Sequence, residues 1–152
     1  MNVRQSYREA AVRGATPVEL VVRLYEQMIE DLRQVSEAIA HNDIERRTQR
    51  IKHAILVLGH LQSSLDFELG GKVARDLDNF YNALRGGLVY VQFHPSKRGV
   101  ARLITDVLAV RQAWIEVKRV EDEKASLVTP APVTLPSAPA PEPNRPRVDW
   151  KG

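Results

Sequence analysis

An all-α fold, an antiparallel four-helix bundle, is predicted by three features of the sequence. Four segments carry apolar residues at helical spacing, each is bounded by start or stop signals, and none alternates with period two for long enough to suggest a sheet. The first helix opens at Thr16-Pro17-Val18-Glu19, a capping box with proline at the first helical position. Val21, Leu24, Met28, Leu32, Val35 and Ile39 then mark one face, and the helix should end near His41. Asn42-Asp43-Ile44-Glu45 reads as a second capping box, opening a helix with Ile51, Ile55, Leu58, Leu61 and Leu65 inward. Gly70-Gly71 is expected to stop that helix or the turn after it. The third helix carries Val73, Leu77, Phe80, Leu84, Leu88 and Val91 and is closed by Pro95. Ser96 can cap the fourth, in which Val100, Leu103, Ile104, Val107, Val110 and Trp114 face inward. Short connections force neighbouring helices to run antiparallel.

The expected organisation is a short N-terminal segment over 1–15, the bundle over 16–126, and a disordered proline- and alanine-rich tail over 127–152. Pro130, Pro132, Pro136, Pro139, Pro141, Pro143 and Pro146 each remove a backbone donor and bias the preceding residue away from helix. With 22 Lys and Arg against 19 Asp and Glu, the net charge is only +3 and no basic stripe forms, which argues against nucleic-acid binding. No cysteine is present, excluding disulfides and thiol nucleophiles. The first residues contain no apolar stretch of signal-peptide type, and no apolar run approaches a membrane span, so a cytoplasmic location without membrane insertion is expected.

Chemistry is sparse. Inward Glu-x-x-His pairs, the signature of carboxylate-bridged metal bundles, do not occur, and no metal or cofactor is expected. His53 and His60 share a face without a carboxylate to complete a ligand set. Glycine-rich phosphate loops and nucleophile turns are missing, so no catalytic residue is assigned. The alternative is a helical-bundle enzyme of nuclease type that pairs Arg47 with His53.

Apolar width is the informative feature. Val18, Val22, Tyr25 and Ile29 form a second stripe on the first helix, more than a core-facing face requires. Leu56 on the second helix, Tyr81 and Val89 on the third, and Leu108 and Ile115 on the fourth also lie off the main stripes. Surplus stripes on several helices suggest a groove for the amphipathic helix of a partner.

The stretch Thr16-Pro17-Val18-Glu19-Leu20-Val21-Val22-Arg23-Leu24-Tyr25-Glu26 resembles the signature of the flagellar secretion chaperone FliS family, with threonine and proline adjacent here. Tyr7 sits where that family has an N-terminal tyrosine, and Ala38-Ile39 precedes Asp43 as in its first hairpin. The run from Leu65 to Ala74, which contains Gly70-Gly71, is similar to its turn, and Ala113-Trp114 to the close of its last helix. The resemblance implies binding of the C-terminal segment of flagellin, prevention of premature polymerisation, and delivery to the flagellar type III export gate. It also implies that the N-terminal segment can cover part of the client site, giving Tyr7 a role. The expected partner-binding residues are Tyr7, Val22, Tyr25, Ile29, Leu56, Tyr81 and Leu88. Whether the free protein is a monomer or a homodimer is left open.

Overall fold

The computed structural model describes residues 14–128. Four helices follow one another, α1 Pro17–Ala40, α2 Ile44–Ser63, α3 Phe67–Phe93 and α4 Lys97–Val128, making an all-α four-helix bundle. Tyr7 and the proline-rich sequence after Val128 lie outside the described residues, and so do the expectations placed on them. The fourth helix continues two residues past the expected boundary at 126.

Paired contacts fix the helix directions. Between α1 and α2, Asp31 meets His53 while Gln34, further along, meets Arg46, closer to the start of its helix. Between α2 and α3, Thr48 meets Gln92 and Gln62 meets Asp78. Between α3 and α4, Gly87 lies against Leu103 and Gly99 near Val91. In each pair, advance along one helix is retreat along the next, so neighbours are antiparallel. The core joins Met28, Leu32 and Val35 to Ile51, Leu58 and Leu61, to Leu84, Leu88 and Val91, and to Val100 and Val107. Of the described residues, 118–128 belong to a separate unit, within which Lys118 pairs with Asp122 and Arg119 with Glu123 one turn on.

The helix ends follow the sequence signals with two revisions. At the start of α1 the capping box is complete: Thr16 Oγ1 accepts from the Glu19 N–H at 3.1 Å, and Glu19 Oε1 accepts from the Thr16 N–H at 3.4 Å. The second expected box is divided between two jobs. Asn42, at φ 53°, is the left-handed residue that ends α1: its N–H donates to the Ile39 carbonyl and the Asp43 N–H to the Ala38 carbonyl. Asp43, not Asn42, caps α2, its Oδ1 accepting from the Arg46 N–H at 3.0 Å. The second revision concerns Gly70-Gly71. The helix α2 ends earlier, at Ser63, and Asp66 opens α3 by accepting from the Glu68 and Leu69 N–H groups, both at 3.0 Å. The break at Gly71, with φ 52° and ψ −125°, falls inside α3 and separates a first turn from the main helix.

Candidate groove and buried polar clusters

The N-terminal half of α1 is walled in on several sides. Of the second stripe, Val18, Tyr25 and Ile29 are buried and Val22 is half-buried; Leu20 is buried beside them, as are Leu24, Met28, Leu32 and Val35 of the first stripe. The width that sequence reading assigned to a partner therefore serves the molecule itself, because α1 packs against more than one neighbour. Tyr25 shows how: its hydroxyl hydrogen-bonds the Tyr81 hydroxyl of α3 at 2.8 Å. The two phenol rings meet edge to face, with centroids 6.3 Å apart. Burial pushes both phenols above the ordinary tyrosine range, so both stay protonated.

Four of the expected partner-binding positions are buried in this structure. Tyr25, Ile29, Tyr81 and Leu88 are core residues, each at most 4% exposed. Helical phase is the reason for Tyr81: at seven residues before Leu88 and three before Leu84, it shares their face, and a further seven residues back that face holds Ala74, not Val73. Val22 is half-buried and Leu56 is 51% exposed, so both keep accessible surface.

A groove of about 470 Å³ lies over this end of the bundle. One wall is the start of α1, with Pro17, Val18, Val21 and Leu24. The other is the first turns of α3, with Leu69, Val73, Ala74 and Leu77, and the α2–α3 turn at Leu65 and Asp66 closes one side. Ser64, Gly70, Tyr81 and Trp114 complete the lining. Its rim is unusually apolar for surface: Leu69 is 89% exposed and Val73 66%, with Phe67 half exposed beside them. Sequence reading placed Val73 in the core and did not single out Leu69. The signal was the pair of glycines, which frees this turn from the register of α3.

A second cluster is polar and buried. Asp31 on α1 has no exposed surface, and its Oδ2 lies 2.6 Å from His53 Nδ1 on α2. Gln27 Nε2 donates to Oδ1 at 3.3 Å and Arg50 stands 3.5 Å away. Burial raises the Asp31 carboxyl above the ordinary aspartate range, opposed by the His53 hydrogen bond and the positive charges of His53 and Arg50. Arg47 is elsewhere: it donates to the Gln92 carbonyl at 3.2 Å, and Gln92 in turn donates to Thr48. Arg47 and His53 thus serve different helix contacts and do not converge on one point. Among the described residues no three His, Asp or Glu side chains are grouped to hold a metal, and no helix is long and apolar enough to cross a membrane.

A family model described as flagellar protein FliS matches residues 1–121. The chain is 28% identical over 102 residues to a flagellar secretion chaperone FliS of Campylobacter jejuni, covering 67% of this chain and 80% of that protein. It is 29% identical over 106 residues to a flagellar secretion chaperone FliSB of Pseudomonas aeruginosa, covering 70% and 84%. A Vibrio cholerae flagellar secretion chaperone FliS matches at 24% identity over 117 residues, covering 74% and 86%.

Proposed function

Because the chain belongs to the FliS family of flagellar proteins, we propose that it is a cytoplasmic export chaperone for flagellin and not an enzyme. In this reading it holds the amphipathic C-terminal helices of flagellin, keeps the subunit from polymerising, and presents it to the flagellar type III export gate. The observation that carries the reading is the groove between α1 and the start of α3, whose rim residues Leu69 and Val73 stand in water in the free protein. Apolar side chains gain about 25 cal/mol for each Å² removed from water, and a client helix with anchors at i, i+3, i+4 and i+7 supplies the matching surface. Val22 and Leu56 are proposed as further contacts outside the groove lining, and Tyr7 as a contact from the N-terminal segment.

Isothermal titration with flagellin carrying or lacking its C-terminal helices tests this. Binding should require those helices and should survive a rise in salt that screens surface ion pairs, since the contact is apolar. Equal affinity for the truncated flagellin would overturn the reading.

A further inference from the structure

The helix α3 carries a second seam on the side away from the core. Tyr81, Leu84, Leu88 and Val91 are buried, whereas Asn79, Ala83, Gly86, Tyr90 and Phe93 are all exposed. Those five recur at intervals of four, three, four and three, the spacing of the a and d positions of a coiled coil. The flanking positions, which sort coiled-coil partners by charge, hold none here: Asn82 and Val89 lie on one side, Phe80 and Gly87 on the other. Tyr90 is 63% exposed and Phe93 74%, and the Tyr90 ring is stacked on His94 with centroids 4.4 Å apart. An uncharged helix face about 21 Å long thus stands in water with aromatic rings upon it.

The distribution of bulk along the seam says what it fits. Aromatic rings stand at its C-terminal end, Ala83 and Gly86 at its middle, and Asn79 and Asn82 at its start. Two copies run antiparallel about a two-fold axis at Gly86 would set Phe93 opposite Asn79, Tyr90 opposite Asn82 and Val89 opposite Ala83. Each large side chain then meets a smaller, uncharged one, and the glycines at the crossing let the backbones approach. A parallel pair would instead crowd Phe93 on Phe93 and Tyr90 on Tyr90 and leave a gap at the glycines. The space at the crossing is open, since a Cβ at Gly86 would meet nothing within 4 Å. The seam is complementary to itself, in one direction only.

We propose that α3 pairs through this seam with α3 of a second copy of the chain, antiparallel about a two-fold axis at Gly86. No residue of the seam lines the groove, so the pairing is independent of the chaperone reading. A contact of this length lies at the lower end of specific interfaces, about 1,000 Å² in total, so the dimer is reversible and forms at micromolar concentration. Charges begin only beyond the seam and are mostly basic, with Lys72, Arg75 and Asp76 before it and Lys97 and Arg98 after. The antiparallel register brings these two ends together, so added salt should strengthen the pairing.

The test is sedimentation velocity of the full chain over about 1–100 µM, a range that brackets a weak interface. The wild type should pass from monomer to dimer. Gly86→Asp opposes two carboxylates at the axis and should weaken the dimer by about tenfold or more. Circular dichroism verifies that this variant is folded, and Tyr90→Asp, at a position largely in water, replaces it if it is not. The chain has no cysteine, so single cysteines read the register. With a short bis-maleimide, Gly86→Cys should cross-link to itself. Asn79→Cys should not, because its two copies stand roughly 21 Å apart along the helices, yet it should link to Phe93→Cys when the two are mixed. A wild type that stays monomeric overturns the proposal, as does a dimer that Gly86→Asp leaves intact, one that salt dissolves, or one in which Asn79→Cys links to itself. A monomeric wild type whose flagellin affinity falls in Gly86→Asp overturns it in favour of the client helix as occupant.

Discussion

Asp31 is the residue whose role was least visible in the sequence. Its spacing, seven after Leu24, three after Met28 and four before Val35, puts it on the inward face, but its charge argues for the solvent side. Only the pairing of α1 with α2 brings His53, Gln27 and Arg50 around it and makes an interior carboxyl tolerable. That also changes what a His53 substitution can report. His53→Ala leaves a buried carboxyl short of its closest partner, so a loss of function in that variant would reflect folding as readily as chemistry. The sign of the pH effect follows from the direction of the Asp31 shift. A carboxyl raised above its unfolded value holds its proton more tightly in the folded state. Its contribution is full below the ordinary aspartate range and is lost as pH rises through the higher folded value. Asp31→Asn keeps an acceptor oxygen and removes this titration. The stability of the wild type relative to Asp31→Asn should therefore decline as pH rises from about 4, the ordinary aspartate value. Urea midpoints of both proteins at three pH values from that point upward measure it, and a difference that grows with pH would show that the charged pair dominates instead.

At the scale of the element, α3 departs most from its sequence pattern, and Gly71 is the cause. Its φ of 52° with ψ of −125° is a conformation nearly confined to glycine. The geometry lets residues 67–70 form a turn capped by Asp66 before the main helix begins in a different register. Leu69 precedes that offset, whereas Val73 follows it and is outward because the inward phase of the main helix runs through Ala74, Tyr81 and Leu88. A Cβ at Gly71 would meet nothing within 4 Å, so the cost of substituting it is backbone strain and not a clash. Gly71→Ala should lose about 1–3 kcal/mol of folding stability. Gly86→Ala is the matched control: its surroundings are equally open and its backbone is helical, so it should be neutral or gain up to about 1 kcal/mol. Denaturant melts of the two variants decide between strain and space, since a harmless Gly71→Ala would mean that the break relaxes freely.

For the whole molecule, helix number, order and most ends were legible because capping and helical period are local properties of the chain. Which apolar stripe is core and which is free was not, because it depends on how many neighbours a helix has. Most of the double stripe of α1 is buried in the bundle, with Val18, Val21 and Leu24 along the groove, and the most exposed apolar surface beside it lies where α3 begins. This yields a separation of phenotypes. Leu84 is 3% exposed, and Leu84→Ala should cost about 2–5 kcal/mol with an early melt. Tyr81→Ala belongs with it, since the change removes a buried ring as well as its hydroxyl contact. Leu69→Asp and Val73→Asp alter side chains that stand largely in water, so they should stay within about 1 kcal/mol of the wild type. Each places a charge on the groove rim, which a docked apolar helix would have to desolvate, so flagellin affinity should fall by tenfold or more, about 1.4 kcal/mol. Leu56→Asp should also fold normally, and because Leu56 is not part of the groove lining its effect on affinity separates two surfaces. Melting temperature and flagellin affinity measured together for these variants give the answer. If Leu69→Asp and Val73→Asp bind normally while Leu56→Asp does not, the client lies on the outer face of α2 and the groove is not its site.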